Sequence, residues 1–264
     1  MDPAKLAGVG LRYAVDGAVA TVTLDRRETR NAQTPAMWRV LAEIGAEVPD
    51  DVRVVVVRGE GHSFSAGLDR RMLSPGGDDG DDGDDGETLA QLVALGSAKF
   101  SERVDAFQQG FLWLRDPRFV SIAAIQGYAI GAGFQLALSC DLRVATDDAQ
   151  LAMKETALGL VPDLTGTKPL VDCVGYARAL EICVTGRMVG AREAAEIGLV
   201  TAVVSRSELR ATIADLTVAL LAAPVGAVRD TKALLQAAAG RSLEDQRRAE
   251  RETQYDRLRQ LAGG

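Results

Sequence analysis

Apolar and polar positions alternate from Gly17 to Leu24 (Gly-Ala-Val-Ala-Thr-Val-Thr-Leu), and that period of two predicts a strand. A charged loop, Asp25 to Asn31, follows. Thr34 before Pro35 then marks a helix start, and Met37, Leu41, Ile44 and Val48 recur at helical spacing on one face. Val52 to Val57 is a short apolar strand bounded by Asp51 and by Gly59 and Gly61. His62 to Asp69 is a turn of small residues leading into a short helix. From Glu87 to about Trp113 the spacing of Leu89, Leu92, Val93, Val104, Phe107 and Phe111 predicts one helix.

The pattern changes at Phe119. An unbroken apolar run to Ile125 predicts a buried strand, interrupted by Gly127, Gly131 and Gly133. Phe134, Leu136, Ala137 and Leu138 then predict a helix buried on most sides. A strand feeding a glycine-rich turn and a buried helix aims unpaired backbone N–H groups at one spot, where the helix dipole favours negative charge. Such a turn can hold a phosphate, a carboxylate or a transient oxyanion, or it can serve close packing alone. Beyond it, Leu142 to Thr146 and Leu151 to Met153 predict strands. Thr167 to Val184 predicts helix interrupted at Gly175, Gly190 to Ile197 a short helix, and Leu199 to Val204 a last strand. About Ser207 to Leu261 predicts three helices, separated near Pro224 and Gly240. Alternating strands and helices indicate an α/β fold, divided into a core over 1–205 and a helical C-terminal region over 206–264.

Composition narrows the chemistry. Residues 119–140 carry no charge, yet the glycines and glutamines among them, without a basic flank, favour a buried strand–turn–helix over a membrane span. The N-terminus has no secretory pattern. Three cysteines, Cys140, Cys173 and Cys183, have no metal-ligand spacing and point to a reducing, cytoplasmic compartment. His62 is the sole histidine, so serine–histidine or histidine–zinc chemistry would have to run through it, and carboxylates are favoured instead.

The net charge is −7, and the six Asp and one Glu of residues 78–87 carry as much. Residues 74–87 therefore predict a solvated, disordered acidic insertion on a charge-balanced body. Its Asp-Asp-Gly triplets do not match an EF-hand, so no metal is expected. The balanced body also argues against nucleic-acid binding, which calls for a basic face.

Four segments in order, Leu24 to Ala32, Phe64 to Asp69, Gly127 to Asp141 and Gly159 to Asp163, resemble the crotonase (enoyl-CoA hydratase/isomerase) superfamily. The resemblance implies a crotonase-like spiral of repeated ββα units with a helical C-terminal region, assembled as a homotrimer or a dimer of trimers. It implies an acyl-CoA thioester as substrate and no separate cofactor, CoA being part of the substrate. By position, the thioester oxygen would sit between the backbone N–H groups of Ala66 and Ala132. CoA would lie along Ala66, Gly67, Leu68, Asp69 and Ala132, with cationic contacts from the loop of Arg26, Arg27 and Arg30.

Hydratases of this family use two glutamates. The second matches Glu155, but the first falls on Gln135, which can hold a water but cannot accept or return a proton. Either Glu155 acts alone, as in single-acid Δ3,Δ2-enoyl-CoA isomerases, or Asp163 supplies the second carboxylate. Asp163 has the alternative role of a turn residue after Pro162. The expected function is that of an enoyl-CoA hydratase or isomerase with Glu155 as acid and base. The alternative is a non-catalytic acyl-CoA binding member.

Overall fold

The computed structural model describes residues 1–73 and 87–263. The acidic insertion expected at 74–87 lies outside the described residues except for Glu87, which pairs with Arg39 and Arg103. The chain begins α1 (Pro3–Gly8), β1 (Leu11–Asp16), β2 (Val19–Leu24), α2 (Pro35–Glu47) and β3 (Val54–Gly59). It continues α3 (Leu89–Ala94), α4 (Ser97–Leu112), β4 (Val120–Ile125), β5 (Tyr128–Ile130), α5 (Ala132–Ser139), β6 (Leu142–Thr146) and β7 (Gln150–Ala152). The last part comprises α6 (Thr167–Val174), α7 (Tyr176–Thr185), β8 (Val189–Gly190), α8 (Ala191–Glu196), β9 (Ala202–Val204), α9 (Leu209–Ala222), α10 (Val225–Ala238) and α11 (Leu243–Ala262).

The strands divide between two sheets. The larger has the order β1-β2-β3-β4-β6-β9, parallel from β2 to β9, with β1 antiparallel at its edge. The smaller has the order β5-β7-β8. Successive units send one strand to each sheet and then turn into a helix: β4, β5 and α5 form one, and β6 with β7 repeats the pattern. This repetition is the crotonase-like spiral.

Both faces of the larger sheet are covered, which explains why β4 is apolar at nearly every position and buried along its length. Ala20, Val22, Leu24, Val55, Val57, Ala123 and Ile125 face the main core. Val54, Val56, Ile122, Ala124 and Val144 face the other way, toward Ile213, Leu216 and Leu220 of α9. The C-terminal region thus shares a core with the strands. Buried Lys232 of α10 fastens it further, donating to Asp116 O, Phe119 O and Asp141 Oδ2, each at 2.7 Å.

Local chemistry explains the main departures from the sequence pattern. The helix expected from Glu87 to Trp113 is two helices, α3 and α4, because Gly96 takes a φ of +80° between them. The strand expected from Gly17 begins at Val19, and Gly17, at φ +54°, belongs to the turn joining β1 to β2. α1 and β1 precede the first element read from the sequence, although Leu11, Tyr13 and Val15 alternate with Arg12, Ala14 and Asp16 at strand period. The last strand is confined to Ala202–Val204. α2 starts as expected, with Thr34 Oγ1 accepting from Met37 N at 3.2 Å. Among the described residues no single helix is long and apolar enough to cross a membrane.

Candidate active site

Two turns meet, one after β3 and one, Gly131 to Gly133, after β5. The first, Ser65 to Asp69, is laid against the second by a parallel bridge between Ser65 and Ala129. A Cβ added to Gly67 would lie 2.4 Å from Ile130 O and 3.5 Å from Ala132 N, so only glycine permits this approach. Gly67 also has φ +87°, a second requirement for glycine. Gly133 is confined in the same way, its added Cβ meeting Ser65 atoms at 2.6–2.8 Å.

The backbone donors at this junction differ from those expected. The N–H of Ala66 donates to Arg30 O at 2.8 Å, so Ala66 does not present it to a ligand. Leu68 forms a parallel bridge with Gln33. In that bridge Gln33 N donates to Gly67 O at 2.7 Å and Asp69 N to Gln33 O at 2.9 Å, leaving the N–H of Leu68 on the opposite side. Ala132 is the first residue of α5, whose first main-chain bond runs from Gln135 N to Gly131 O at 2.9 Å. Among the described residues, neither Leu68 N–H nor Ala132 N–H has an acceptor. The paired donors are therefore Leu68 and Ala132, two residues along from the expected first position.

Glu155 stands beside them. Glu155 opens a 3-10 turn, Glu155–Leu158, directly after β7, and an added Cβ on Gly131 would lie 3.3 Å from its Oε1. That oxygen accepts Gln135 Nε2 at 2.7 Å. Glu155 Oε2 is buried without a hydrogen-bond partner. The other end of Gln135 is occupied as well: Oε1 accepts Leu164 N at 2.9 Å and Gly166 N at 3.1 Å. These donors fix the amide orientation, since only the carbonyl can face two N–H groups and only the NH₂ can face a carboxylate. Two amides converging on one oxygen wrap Thr165 into a left-handed conformation, φ +70°, unusual for a β-branched residue. Ser139 Oγ, 3.3 Å from Thr165 Oγ1, supports it there.

Burial raises the pKa of Glu155 and the charge of Asp163 raises it further, against the lowering effect of the Gln135 bond. Asp163 is exposed at the rim in the single chain, yet the protein around its carboxyl raises its pKa too. Its backbone oxygen accepts Gln108 Nε2 at 2.7 Å. The thiol of Cys183 is raised by burial and by the Glu155 charge, and its backbone oxygen accepts Thr156 Oγ1 at 2.6 Å. Nothing in its sequence setting marked it for the site.

The arginines of the charged loop contact other protein groups. Arg26 reaches Asp69 Oδ2 at 3.0 Å and Ala32 O at 2.6 Å. Arg71 grips the same carboxylate through Nε and Nη2. Burial would raise Asp69, but these bonds prevail and bring it down to about 2. Asp69 and Arg26, expected along CoA, are thus an internal ion pair that ties the first turn to the loop. Arg27 faces Glu60 at 3.7 Å, and Arg30 lies over the Tyr128 ring at 5.8 Å. Solitary His62 is exposed, and its backbone oxygen accepts from Arg206. Among the described residues, no three His, Cys, Asp or Glu side chains converge as metal ligands.

Comparison with known proteins agrees with this architecture. Residues 14–262 match the family described as enoyl-CoA hydratase/isomerase. YngF of Bacillus subtilis, provisionally named an enoyl-CoA hydratase/isomerase, is 35% identical over 81% of this chain and 76% of its own. The (E)-benzylidenesuccinyl-CoA hydratase of Thauera aromatica is 33% identical over 74% of this chain and 70% of its own. A provisionally named enoyl-CoA hydratase from Thermobifida fusca, solved in complex with CoA, is 48% identical over 100% of this chain and 98% of its own, with a TM-score of 0.92. The same protein has been solved with acetoacetyl-CoA, at 49% identity and a TM-score of 0.92. With its paired turns, spiral of strands and half-buried glutamate, this chain belongs to the enoyl-CoA hydratase/isomerase family of the crotonase superfamily.

Proposed function

We propose that this enzyme binds an acyl-CoA thioester and shifts its double bond between C3 and C2, with Glu155 as the single acid–base group. The observation that carries this reading is the asymmetry at Glu155: Oε1 is held by Gln135, and Oε2 is buried without a partner. In this scheme Oε2 takes a proton from C2 of a 3-enoyl thioester and the same carboxyl returns it at C4. The intervening negative charge lies on the thioester oxygen, between the N–H groups of Leu68 and Ala132. Each such donor is worth about 3 kcal/mol at the transition state.

Hydration by two carboxylates is disfavoured because Gln135 neither ionises nor has an idle carbonyl. A purely binding role is disfavoured by a carboxyl whose raised pKa keeps its proton affinity closer to that of an enolate carbon.

The CoA complexes of the Thermobifida fusca protein support the thioester class. We assign Arg30 to the CoA phosphates, since among the described residues it has no carboxylate partner. The scheme uses only protein groups and the thioester, so no further cofactor is invoked. Assembly as a homotrimer or a dimer of trimers is supported by exposed apolar residues such as Tyr176, Leu180 and Val184 on α7.

The test compares 3-hexenoyl-CoA and crotonyl-CoA as substrates for the wild type and Glu155→Gln. Conversion of the first to the conjugated 2-enoyl product, abolished in the variant, supports the isomerase. Loss of crotonyl-CoA absorbance by hydration at a greater rate would replace it with a hydratase. Binding of both esters without turnover of either would favour the non-catalytic reading.

A further inference from the structure

Gln33 is a fully buried polar residue that the proton transfer does not use. Its backbone grips the first turn on both sides, through Gly67 O at 2.7 Å and Asp69 N at 2.9 Å. Its side chain is held at both ends as well. Trp38 Nε1 donates to Gln33 Oε1 at 2.9 Å, and Gln33 Nε2 donates to Ser65 Oγ at 3.1 Å. Since an indole nitrogen can only donate, this orientation is fixed. Ser65 Oγ, also fully buried, accepts Gly67 N–H at 3.2 Å and donates to Asn31 O at 2.7 Å.

The consequence follows from peptide planarity. In a trans peptide the C=O of Gly67 and the N–H of Leu68 share one plane and point in opposite directions. Holding Gly67 O on Gln33 N–H therefore aims Leu68 N–H at the space beside Ala132. Trp38, at the far end of the chain of bonds, is wedged between Phe107 at 5.2 Å and Phe111 at 6.2 Å. Packing alone would be served by an apolar side chain of similar volume, without the cost of burying an amide. A glutamine here ties the aim of one backbone amide to the rigid α2–α4 interface.

We infer that Gln33, seated between Trp38 and Ser65, is a positioning residue for the enolate-stabilising N–H of Leu68. The inference rests on the role assigned above to Leu68. Charge stabilisation by an amide depends on its direction being set before the charge develops. Loosening Gln33 should therefore weaken the stabilised enolate while leaving the grip on CoA in place.

The test uses Gln33→Met, close in volume but unable to bond Ser65 or Trp38, and Trp38→Phe, which keeps an aromatic ring, though a smaller one, and removes the indole donor. Acetoacetyl-CoA is the probe, read by the near-ultraviolet band of its enolate, with the affinity for CoA alone measured by calorimetry. The expected result for Gln33→Met is an enolate fraction and isomerase kcat lowered about 10- to 100-fold. CoA affinity should stay within about twofold, and Trp38→Phe should show a smaller loss in the same direction. An undiminished enolate band and kcat in Gln33→Met would overturn the inference, even with a lower melting temperature. If Gln33→Met does not fold, an unchanged band in Trp38→Phe overturns it. A wild type that binds acetoacetyl-CoA without any enolate band would instead overturn the role of Leu68 itself.

Discussion

Gln135 Nε2 donates to Glu155 Oε1 across 2.7 Å, so the side chain standing where a second acid would be faces the first acid as a donor. Its carbonyl is simultaneously clamped by the amides of Leu164 and Gly166. Gln135 is therefore a brace between two parts of the site, the 3-10 turn bearing Glu155 and the loop bearing Asp163. That loop keeps Thr165 in a conformation with about 1–3 kcal/mol of strain, which the clamp offsets.

Gln135→Glu should convert the brace into a second carboxylate without dislodging it. The Leu164 and Gly166 amides would still have an acceptor, and charged acceptors bind such donors more strongly. The new charge would stand against Glu155 and raise its pKa further. The expected outcome is a gain of crotonyl-CoA hydration, with the acidic limb of the rate profile moved to higher pH. Loss of enoyl absorbance measured across pH checks both.

Glu155→Gln should abolish turnover, by about 10²- to 10⁴-fold or more, and at the same time stabilise the fold at neutral pH. The pKa of Glu155 is raised in the folded state, so folding is unpenalised below its ordinary value of 4.5 and loses stability as pH climbs through that value toward the raised one. Removing the ionisable group removes that loss. The melting temperature of the variant should exceed that of the wild type at pH 7 and match it near pH 4.

Asp163→Asn separates a second catalytic acid from a neighbour that merely shapes the field. Asp163 raises the pKa of Glu155 by its charge, so neutralising it should move the acidic limb of kcat to lower pH. A change in kcat of less than about tenfold at the plateau is expected if Asp163 transfers no proton. A pH–rate profile of the variant checks the direction, and a plateau loss beyond that would make Asp163 a second acid.

Gly67→Ala should force the two turns apart. Its Cβ would lie 2.4 Å from Ile130 O on a residue held at φ +87°. A stability loss of about 2–4 kcal/mol is expected from strain and overpacking together. The displaced Leu68 and Ala132 amides should lower kcat/KM by about 100-fold, because orientation at a reacting centre tolerates little displacement. Thermal melting and isomerase kinetics on the same preparation check the pair of effects.

Much of the architecture was legible in the sequence because apolar periodicity reports burial directly. The run from Phe119 to Ile125 became a strand buried on both faces, and Thr34-Pro35 began α2 with its side-chain cap. The errors fall where a single backbone dihedral decides: Gly96 splits a helix that its neighbours would continue, and Gly17 turns a hairpin. The candidate acid was legible as well, since Glu155 follows a short apolar strand in family register and Gln135 stands out by its inability to ionise.

What no residue type could convey was direction. Ala66 and Leu68 flank the same glycine, and which N–H is idle depends on Arg30 O and Gln33, brought up by a loop distant in sequence. The function of Gln135 depends on amides of residues 164 and 166, and the surroundings of Glu155 depend on Asp163 and Cys183. Side-chain chemistry and hydrophobic period are local properties, so the sequence alone determined most of the strands, the paired glycine turns and which carboxylate is the candidate acid. The hydrogen-bond partners of each backbone group are long-range properties, so only the tertiary structure decided that the N–H groups of Leu68 and Ala132 are free and that one oxygen of Glu155 has no hydrogen-bond partner.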